Sequence, residues 1–324
     1  MPAALPECTL GSTGITTTAL GIGGYIGELE HPGATAAERR DAAVAAVQRA
    51  AGLGIRYFDT SPAYGSDGGA QKLLGLGLRS LTEEQRAGIT LSTKAGTHPE
   101  RRHRYDRDSI LWSVDESFRL LFRDRIDVLL VHDPAGHEHM DEALAPGGAV
   151  EALEELKEQG AIGAIGLGVQ SHALQRRAID SGRFDVILPS YDYHLTRTSA
   201  APLLRDAAAR GIGVINASPY NSGILAGLHP SEWAKRRGGS PTDLEAAARV
   251  WDWCREREVD IGALAVQFSF RCPDVDATLV GPRTAAEVEE NVRHATAEIP
   301  EEIWEEFGPF QATLPGMPQA GQAP

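Results

Sequence analysis

The sequence has little cysteine and no excess of positive charge. Its three cysteines, Cys8, Cys254 and Cys272, form no Cys-x-x-Cys pair, so neither a disulfide framework nor a thiolate zinc site is expected. Lys and Arg number 31 against 45 Asp and Glu, which gives a formal net charge of −14. Such an acidic chain is not expected to bind nucleic acid or anionic membranes non-specifically.

Signals for export and for nucleotide-binding loops are also lacking. Residues 1–10 contain no basic stretch followed by an apolar core, and no apolar run approaches the length of a membrane span. We therefore expect a protein of a reducing, cytoplasmic compartment. The glycine-rich stretches 21–24 and 163–168 do not complete the Gly-x-Gly-x-x-Gly pattern, which argues against a doubly wound sheet.

Short apolar runs alternate with amphipathic helical segments along most of the chain. A hairpin pattern over residues 8–18 precedes eight apolar runs, at 19–24, 55–58, 89–93, 126–131, 164–169, 186–188, 213–217 and 277–280. Eight strand–helix units predict an α/β fold, a closed (β/α)8 TIM barrel with a short N-terminal β-hairpin. We expect one domain over residues 1–313, and the Pro-, Gly- and Gln-rich residues 314–324 predict a disordered tail.

Four polar residues follow three successive predicted strands. Asp59 ends the run 55–58, Tyr64 lies in the turn after it, Lys94 follows 89–93, and His132 follows 126–131. Active sites of such barrels lie at the carboxyl ends of the strands. A buried ammonium needs a partner, so we expect Asp59 to pair with Lys94.

The chemistry of these four side chains is coherent. A phenol has an ordinary pKa of about 10, and a neighbouring Lys94 ammonium is expected to lower the pKa of Tyr64. His132 is suited to hydrogen-bond a substrate oxygen. Such a site transfers a proton to or from a carbonyl or alcohol oxygen, while hydride transfer requires a cofactor.

The segments that carry these residues resemble the aldo-keto reductase superfamily, over roughly residues 8–297. They read Tyr-Phe-Asp-Thr-Ser-Pro-Ala-Tyr-Gly at 57–65, Ser-Thr-Lys at 92–94 and Leu-Val-His-Asp-Pro at 130–134. The resemblance implies that Asp59, Tyr64, Lys94 and His132 are the catalytic tetrad, with Tyr64 as general acid in reduction and general base in oxidation. Segments 132–134, 163–168 and 218–227 are similar to the L-fucose and D-threo-aldose 1-dehydrogenase branch, with pyridoxal 4-dehydrogenase nearby.

The resemblance also implies a nicotinamide cofactor, NAD or NADP. Gly281 and Arg283 open the last helix, whose amino end suits the adenosine phosphate, and Glu290 and Asn291 match the adenine-contacting pair. Gly281 and Glu287 stand where NADPH-dependent members often carry cations, which favours NAD, although Arg283 is able to compensate. The remaining cofactor-binding residues implied are Gly23, Gln170, Ser190, Ser218, Pro219, Tyr220, Asn221, Gly223 and Leu225.

Polar and aromatic side chains near predicted strand ends are candidates for substrate binding. Tyr25, Trp112, His172 and Tyr193 would suit a polyhydroxylated ring, which offers hydroxyl groups and an apolar face. Together with this, the resemblance to the sugar 1-dehydrogenase branch implies oxidation of a small-molecule aldose at C1 to a lactone.

Three alternatives stay open at this point. One is an NADPH-dependent aldehyde or ketone reductase. Another is a metal-dependent barrel hydrolase that uses His132, Asp133, His137 and His139, although no metal is expected. The third is a non-catalytic, cofactor-sensing regulator of the same fold. The sequence gives no indication of the oligomeric state.

Overall fold

The computed structural model describes residues 4–29, 33–65 and 69–317. Its strands are β1 Glu7–Thr9, β2 Thr16–Thr18, β3 Leu20–Ile22, β4 Tyr57–Asp59, β5 Thr90–Ala95, β6 Ile126–His132, β7 Ile162–Gly168, β8 Val186–Leu188, β9 Gly213–Ala217 and β10 Ala277–Val280. Strands β3 to β10 pair in sequence order in parallel, and β10 pairs with β3 to close the barrel. The predicted eight-stranded barrel is confirmed.

The predicted N-terminal hairpin is also confirmed, and it lies at the amino ends of the barrel strands. Strands β1 and β2 are antiparallel, with Glu7 opposite Thr18. Gly11, in the turn between them, has a positive φ of 48°, and a Cβ there would lie 2.4 Å from the Gly213 nitrogen at the start of β9. The hairpin therefore packs tightly against one end of the barrel and leaves the carboxyl ends of the strands open.

Helices follow the barrel strands and form the outer layer. They are α1 Ala36–Gly52, α2 Gly69–Arg79, α3 Glu83–Ala87, α4 Arg107–Leu121, α5 His137–Leu144, α6 Ala149–Glu158, α7 His172–Ser181, α8 Ala201–Ala209, α9 Pro230–Arg237, α10 Pro241–Glu256, α11 Ile261–Phe270, α12 Ala285–Thr296 and α13 Glu301–Gln311. A short 3-10 helix spans Pro99–Arg101. Short helices α3, α5 and α9, and the later α13, were not predicted from the sequence.

Local sequence explains where several of these helices begin. Thr35 and Glu38 form a reciprocal capping box at the start of α1. Asp260 accepts a hydrogen bond of 2.8 Å from Gly262 N at the start of α11. Each such cap contributes about 1 kcal/mol to helix stability.

The barrel strands are buried on both faces, which explains their apolar runs. Tyr57 and Leu130 belong to a cluster inside the barrel, whereas Phe58 and Val131 belong to the layer between sheet and helices. This alternation is the two-residue period of a strand. It fixes which residues of each strand reach the interior and hence the site.

Two further features bear on the sequence predictions. Leu314 is buried in the cluster around α10 and α13, so ordered packing extends past residue 313. Residues 318–324 of the predicted tail lie outside the described residues. No helix within the described ranges is long and apolar enough to cross a membrane.

Candidate active site

The four residues predicted to carry chemistry meet at the carboxyl ends of β4, β5 and β6. Asp59 and His132 are the last residues of β4 and β6, and Lys94 lies one residue before the end of β5. Strand alternation turns all three toward the barrel interior, and Tyr64 follows in the turn after β4. All four line one cavity of about 810 Å³.

Asp59 and Lys94 form the buried ion pair expected from the sequence. Lys94 Nζ lies 2.6 Å from Asp59 Oδ2 and donates a hydrogen bond of 2.8 Å to the Thr60 carbonyl. Ser92 Oγ donates to Asp59 Oδ1 at 2.6 Å. Burial lowers the pKa of Lys94, and the Asp59 carboxylate opposes that shift. The two charges therefore compensate each other where neither meets water.

Tyr64 lies between an aromatic ring, a histidine and this ion pair. Its ring stacks on Tyr25 with centroids 5.4 Å apart and meets the His132 ring edge-on at 5.7 Å. Lys94 Nζ lies 4.7 Å from the Tyr64 ring centroid. The phenol is thus held by packing on one side and faces the cavity on the other.

The predicted lowering of the Tyr64 pKa is wrong for the site as it stands in the structure. Burial raises the pKa of Tyr64 well above its ordinary value, and the Asp59 and Asp133 carboxylates raise it further. The main physical reason is burial, which disfavours the phenolate. Lys94 does not offset it, because its charge is compensated by Asp59 at 2.6 Å. Its ammonium therefore does not act on the phenol as an isolated charge, and Tyr64 holds its proton at neutral pH.

His132 is neutral, with its proton directed into the cavity. Burial, and then the charge of Lys94, lowers the pKa of His132 well below its ordinary value. Nε2 lies 3.3 Å from Asp133 Oδ2, and Nδ1 lies 2.5 Å from Thr97 Oγ1. A carboxylate only accepts hydrogen bonds, so we assign the proton to Nε2, and Nδ1 accepts from the Thr97 hydroxyl. Nε2–H is the donor that a substrate oxygen meets.

The cavity continues from the four residues to the amino end of α12. Eleven of the residues predicted to bind the cofactor line it: Gly23, Ser190, Ser218, Pro219, Tyr220, Gly223, Gly281, Arg283, Glu287, Glu290 and Asn291. A Cβ at Gly23 would lie 2.9 Å from the Asp59 Cβ, so only glycine leaves this wall open. The lining residues run from the tetrad to α12 and fit a dinucleotide bound along them.

Three residues predicted to bind the cofactor do not line the cavity. Gln170 is exposed, and Gly168 and Val169 line the wall in its place. Leu225 is fully buried in an apolar cluster. Asn221 lies in a turn with a positive φ of 45°. All three are close in sequence to lining residues, but the local backbone turns them elsewhere.

A chain of hydrogen bonds lies beneath the far end of the cavity. The Tyr220 hydroxyl donates to Asn291 Oδ1 at 2.9 Å and lies 2.9 Å from His294 Nδ1. His294 Nε2 lies 3.4 Å from Asp260 Oδ1, and a Cβ at Gly262 would lie 2.3 Å from His294 Cε1. Sequence reasoning missed His294 and Asp260, since nothing local marks them. The chain holds Asn291 in one orientation at the cavity wall.

The amino end of α12 already holds a protein carboxylate. Glu287 Oε2 accepts a hydrogen bond of 2.6 Å from the backbone nitrogen of Arg283, and Thr284 Oγ1 accepts one from Glu287 N. Helix amino ends favour anions. The Glu287 carboxylate therefore already accepts from a backbone N–H group at which another anion would bind.

Of the four residues predicted to contact substrate, only Tyr25 lines the cavity. Trp112 packs against His98 and Arg101, with ring centroids 4.5 Å apart in the first pair. Tyr193 stacks on Phe268 of α11 at 5.2 Å. His172 Nε2 lies 3.2 Å from Asp192 Oδ2. These three side chains pack against neighbouring helices and loops rather than into the barrel mouth.

Residues outside the predicted substrate-binding set complete the mouth. Asp133, Tyr191, Leu228, Trp233, Arg236 and Arg237 line the same cavity. Asp133 and Tyr191 have left-handed backbones, with φ of 42° and 65°. The position of Asp133 directly after His132 was the only sequence signal, and α9 was not predicted at all.

The described residues do not bring the predicted histidines together as metal ligands. His139 Nδ1 accepts a hydrogen bond from Ala135 N at 3.2 Å, and its ring stacks on His103. His137 Nδ1 lies 3.2 Å from Arg177 Nη1. Within residues 4–29, 33–65 and 69–317, no three His, Cys, Asp or Glu side chains converge.

Comparison with known proteins gives consistent matches over most of the chain. The model described as "Aldo/keto reductase family" matches residues 19–308. L-galactose dehydrogenase of Arabidopsis thaliana is 33% identical over 291 residues, which are 89% of this chain and 87% of that protein. Pyridoxal 4-dehydrogenase of Microbacterium luteolum is 34% identical, covering 91% and 94%. D-threo-aldose 1-dehydrogenase of a Pseudomonas species is 32% identical, covering 82% and 87%.

Solved structures agree in fold. A putative aldo-keto reductase from Pseudomonas aeruginosa superposes with a TM-score of 0.62 at 24% identity, over 90% of this chain and 94% of that one. A second structure of this description gives a TM-score of 0.61 at 23% identity.

Proposed function

This chain belongs to the aldo/keto reductase family, and we propose that it is an NAD-dependent dehydrogenase that oxidises a sugar at C1 to a lactone. One observation carries the proposal. Tyr64 and His132 line the same cavity as the predicted cofactor-binding residues at the amino end of α12. The family relation makes the chain an oxidoreductase. The sugar, the cofactor and the role of Tyr64 are the parts proposed here.

Tyr64 is proposed as the group that moves the proton. When bound, the nicotinamide cofactor supplies or accepts the hydride at the reacting carbon. In reduction, the Tyr64 hydroxyl gives its proton to the carbonyl oxygen while His132 Nε2–H holds that oxygen. In oxidation, the substrate hydroxyl gives its proton to the Tyr64 phenolate. The raised pKa of Tyr64 favours the protonated form, which is the acid that reduction needs.

Tyr64→Phe tests this assignment. The ring remains to stack on Tyr25, but the acid is removed. We expect turnover to fall by at least about a hundredfold, the size of a typical acid–base contribution, with NADH affinity unchanged in a fluorescence titration. Retained turnover would refute the role of Tyr64, and absence of NADH and NADPH binding to the wild type would refute the proposed dehydrogenase.

The preference for NAD is proposed from the position of Glu287. Its carboxylate lies at the amino end of α12, where an adenosine 2′-phosphate would meet the helix amides, and like charges repel there. Gly281 supplies no cation at the same end. The arginines Arg236, Arg237 and Arg283 line the cavity and are suited to the phosphates that NAD and NADP share.

Glu287→Gln tests the preference directly. Removal of one negative charge is expected to strengthen NADPH binding about tenfold relative to NADH, because the repulsion disappears. Glu298→Gln, an exposed residue after α12, removes the same charge and is expected to leave the ratio unchanged. Equal effects of the two substitutions would contradict the role of Glu287.

The sugar substrate is proposed from the mouth of the cavity and from the relatives. Tyr25 and Tyr191 expose 47% and 38% of their surface beside the polar tetrad, and such aromatic faces suit the apolar face of a sugar ring. L-galactose dehydrogenase and D-threo-aldose 1-dehydrogenase are named for sugar oxidation. A panel of aldoses assayed with NAD at the nicotinamide absorbance band tests this part.

A second candidate, reduction of an aldehyde or ketone, is favoured by the protonated state of Tyr64. Reduction of methylglyoxal with NADH is the activity named for a relative from Escherichia coli (strain K12), 26% identical over 321 residues, which are 90% of this chain and 92% of that protein. Comparison of kcat/KM for aldoses with NAD against aldehydes with NADH and NADPH separates the two candidates.

A further inference from the structure

Asp133 is a carboxylate at the reacting end of the cavity, and no Lys or Arg within residues 4–29, 33–65 and 69–317 forms an ion pair with it. Its Oδ2 lies 3.3 Å from His132 Nε2, and its side chain is 57% exposed. Asp59, the other carboxylate of the tetrad region, is bonded to Lys94 and Ser92. Asp133 is therefore in a position to act on whatever oxygen meets His132.

We propose that Asp133 selects substrates that carry a neutral hydroxyl group on the carbon next to the reacting carbon, and that it rejects those that carry an anion there. The inference rests on the proposed function, in which His132 Nε2–H and the Tyr64 hydroxyl hold the reacting oxygen. It goes further by naming the chemical class of the neighbouring substituent.

The position of Asp133 relative to His132 explains the selection. An oxygen that accepts from His132 Nε2–H lies next to Asp133 Oδ2, since both oxygens are near the same nitrogen. A carboxylate has no proton to donate and repels a second anion. A vicinal hydroxyl is a donor, so it satisfies Asp133 while the reacting oxygen takes the His132 proton. A methyl group at the same place has no hydrogen to donate, so it gains nothing from Asp133.

The charge of Asp133 strengthens the hydrogen bond that a substrate hydroxyl would donate to it. Hydrogen bonds to charged groups are stronger than hydrogen bonds between neutral groups. Burial raises the pKa of Asp133, and the charge of Lys94 acts in the opposite sense. Tyr25 and Tyr191 line the same mouth.

The backbone of Asp133 allows a clean substitution. Its φ of 42° is left-handed, a conformation that Asp and Asn adopt more readily than most residues. Its nitrogen donates to the Gly168 carbonyl at 2.9 Å, which a side-chain change does not remove. Asp133→Asn keeps shape and backbone preference and removes the charge.

Three small aldehydes test the inference with NADH as reductant. Glycolaldehyde carries the hydroxyl, propanal replaces it by a methyl group of similar size, and glyoxylate replaces it by an anion. For the wild type we expect kcat/KM to fall in that order. In Asp133→Asn, we expect the preference for glycolaldehyde over propanal to shrink about tenfold, the size expected for a charged hydrogen bond, and glyoxylate to gain about tenfold relative to propanal.

The controls separate the possible failures. Asp252→Asn, on the exposed side of α10, makes the same change in net charge and is expected to leave all three ratios unchanged. NADH affinity, measured by fluorescence, and the melting temperature are expected to match the wild type in both variants.

Each outcome decides a different point. If Asp133→Asn changes kcat/KM by the same factor for all three aldehydes, the role of Asp133 is structural and the inference is overturned. A loss of NADH affinity large enough to explain the change in kcat/KM would also overturn it. Absence of turnover of every aldehyde by NADH-bound wild type would overturn the proposed function and the inference with it. If the kcat/KM ratios between the aldehydes change in Asp133→Asn and stay constant in Asp252→Asn, both the proposed function and the inference are supported.

Discussion

Replacement of Asp59 by Asn removes the charge that compensates the buried Lys94 ammonium and keeps the size of the side chain. Lys94 is 1% exposed and its Nζ lies 2.6 Å from Asp59 Oδ2. Loss of one partner of a buried ion pair costs about 3–5 kcal/mol, since the other charge is left uncompensated. Lys94 keeps its hydrogen bond to the Thr60 carbonyl, so we expect about 3 kcal/mol.

This loss translates into a measurable change in melting temperature. An unfolding entropy of about 2.1 cal/mol/K per residue gives about 0.7 kcal/mol/K for a chain of 324 residues. A loss of 3 kcal/mol therefore lowers the melting temperature by about 4 °C at pH 7. Differential scanning calorimetry of wild type and Asp59→Asn measures it.

The pH dependence has a definite sign. Burial already lowers the pKa of Lys94, and loss of Asp59 lowers it further below the unfolded value of about 10.4. Between these pKa values the unfolded state binds the extra proton, so stability rises with pH. The difference between variant and wild type is expected to shrink from pH 7 toward pH 10.

A double variant supplies the refutation. Asp59→Asn with Lys94→Met removes the unpaired charge and is expected to recover most of the stability, although not the activity. A double variant as unstable as Asp59→Asn, or a pH-independent loss, would show that packing rather than charge accounts for the effect.

Two further predictions concern catalysis. The pKa of Tyr64 is raised and that of His132 is lowered, so neither group changes its main protonation state between pH 6 and 9. We therefore expect kcat/KM for reduction to be constant over this range and kcat/KM for oxidation to rise as more phenolate forms. A pH–rate profile measures both, and an oxidation rate already level by pH 8 would contradict the raised pKa of Tyr64. Thr97→Val removes the nearer of the two hydroxyls beside His132 Nδ1; the other, Ser61 Oγ, lies at 3.3 Å. We expect kcat/KM to fall about tenfold with NADH affinity unchanged, since loss of a buried hydrogen bond weakens the hold on the tautomer. The rate and the affinity are measured side by side, and unchanged kcat/KM in Thr97→Val with Ser61→Ala would refute the tautomer assignment.

The barrel could be predicted from the sequence because its signals are local. Each of the eight strands is an apolar run, because a parallel barrel sheet is buried on both of its faces. Asp59, Lys94 and His132 were identified because each stands where an apolar run ends. A polar residue at that place in a barrel faces the site or needs a partner.

The remaining features depend on directions and partners that are far apart in sequence. Trp112 and Tyr193 lie near strand ends along the chain, yet their rings pack against neighbouring elements. The sign of the Tyr64 pKa shift is set first by burial of the phenol, which depends on how distant parts of the chain pack around it. His294 reaches Tyr220 across 74 positions, a contact that no local pattern indicates.

The left-handed residues at the mouth have a consequence for engineering. Eight non-glycine residues in the described ranges have positive φ, and five of them follow β6, β8 or β9 at this mouth: Asp133, Tyr191, Ser218, Asn221 and Ser222. Each costs about 1–2 kcal/mol relative to an unstrained residue. Selection for heat resistance alone would therefore favour glycine at these positions, Tyr191 above all. It would remove four side chains that line the cavity, those of Asp133, Tyr191, Ser218 and Ser222. Stabilising substitutions are therefore better placed at the hairpin end of the barrel, away from the site, where a gain in stability does not cost activity.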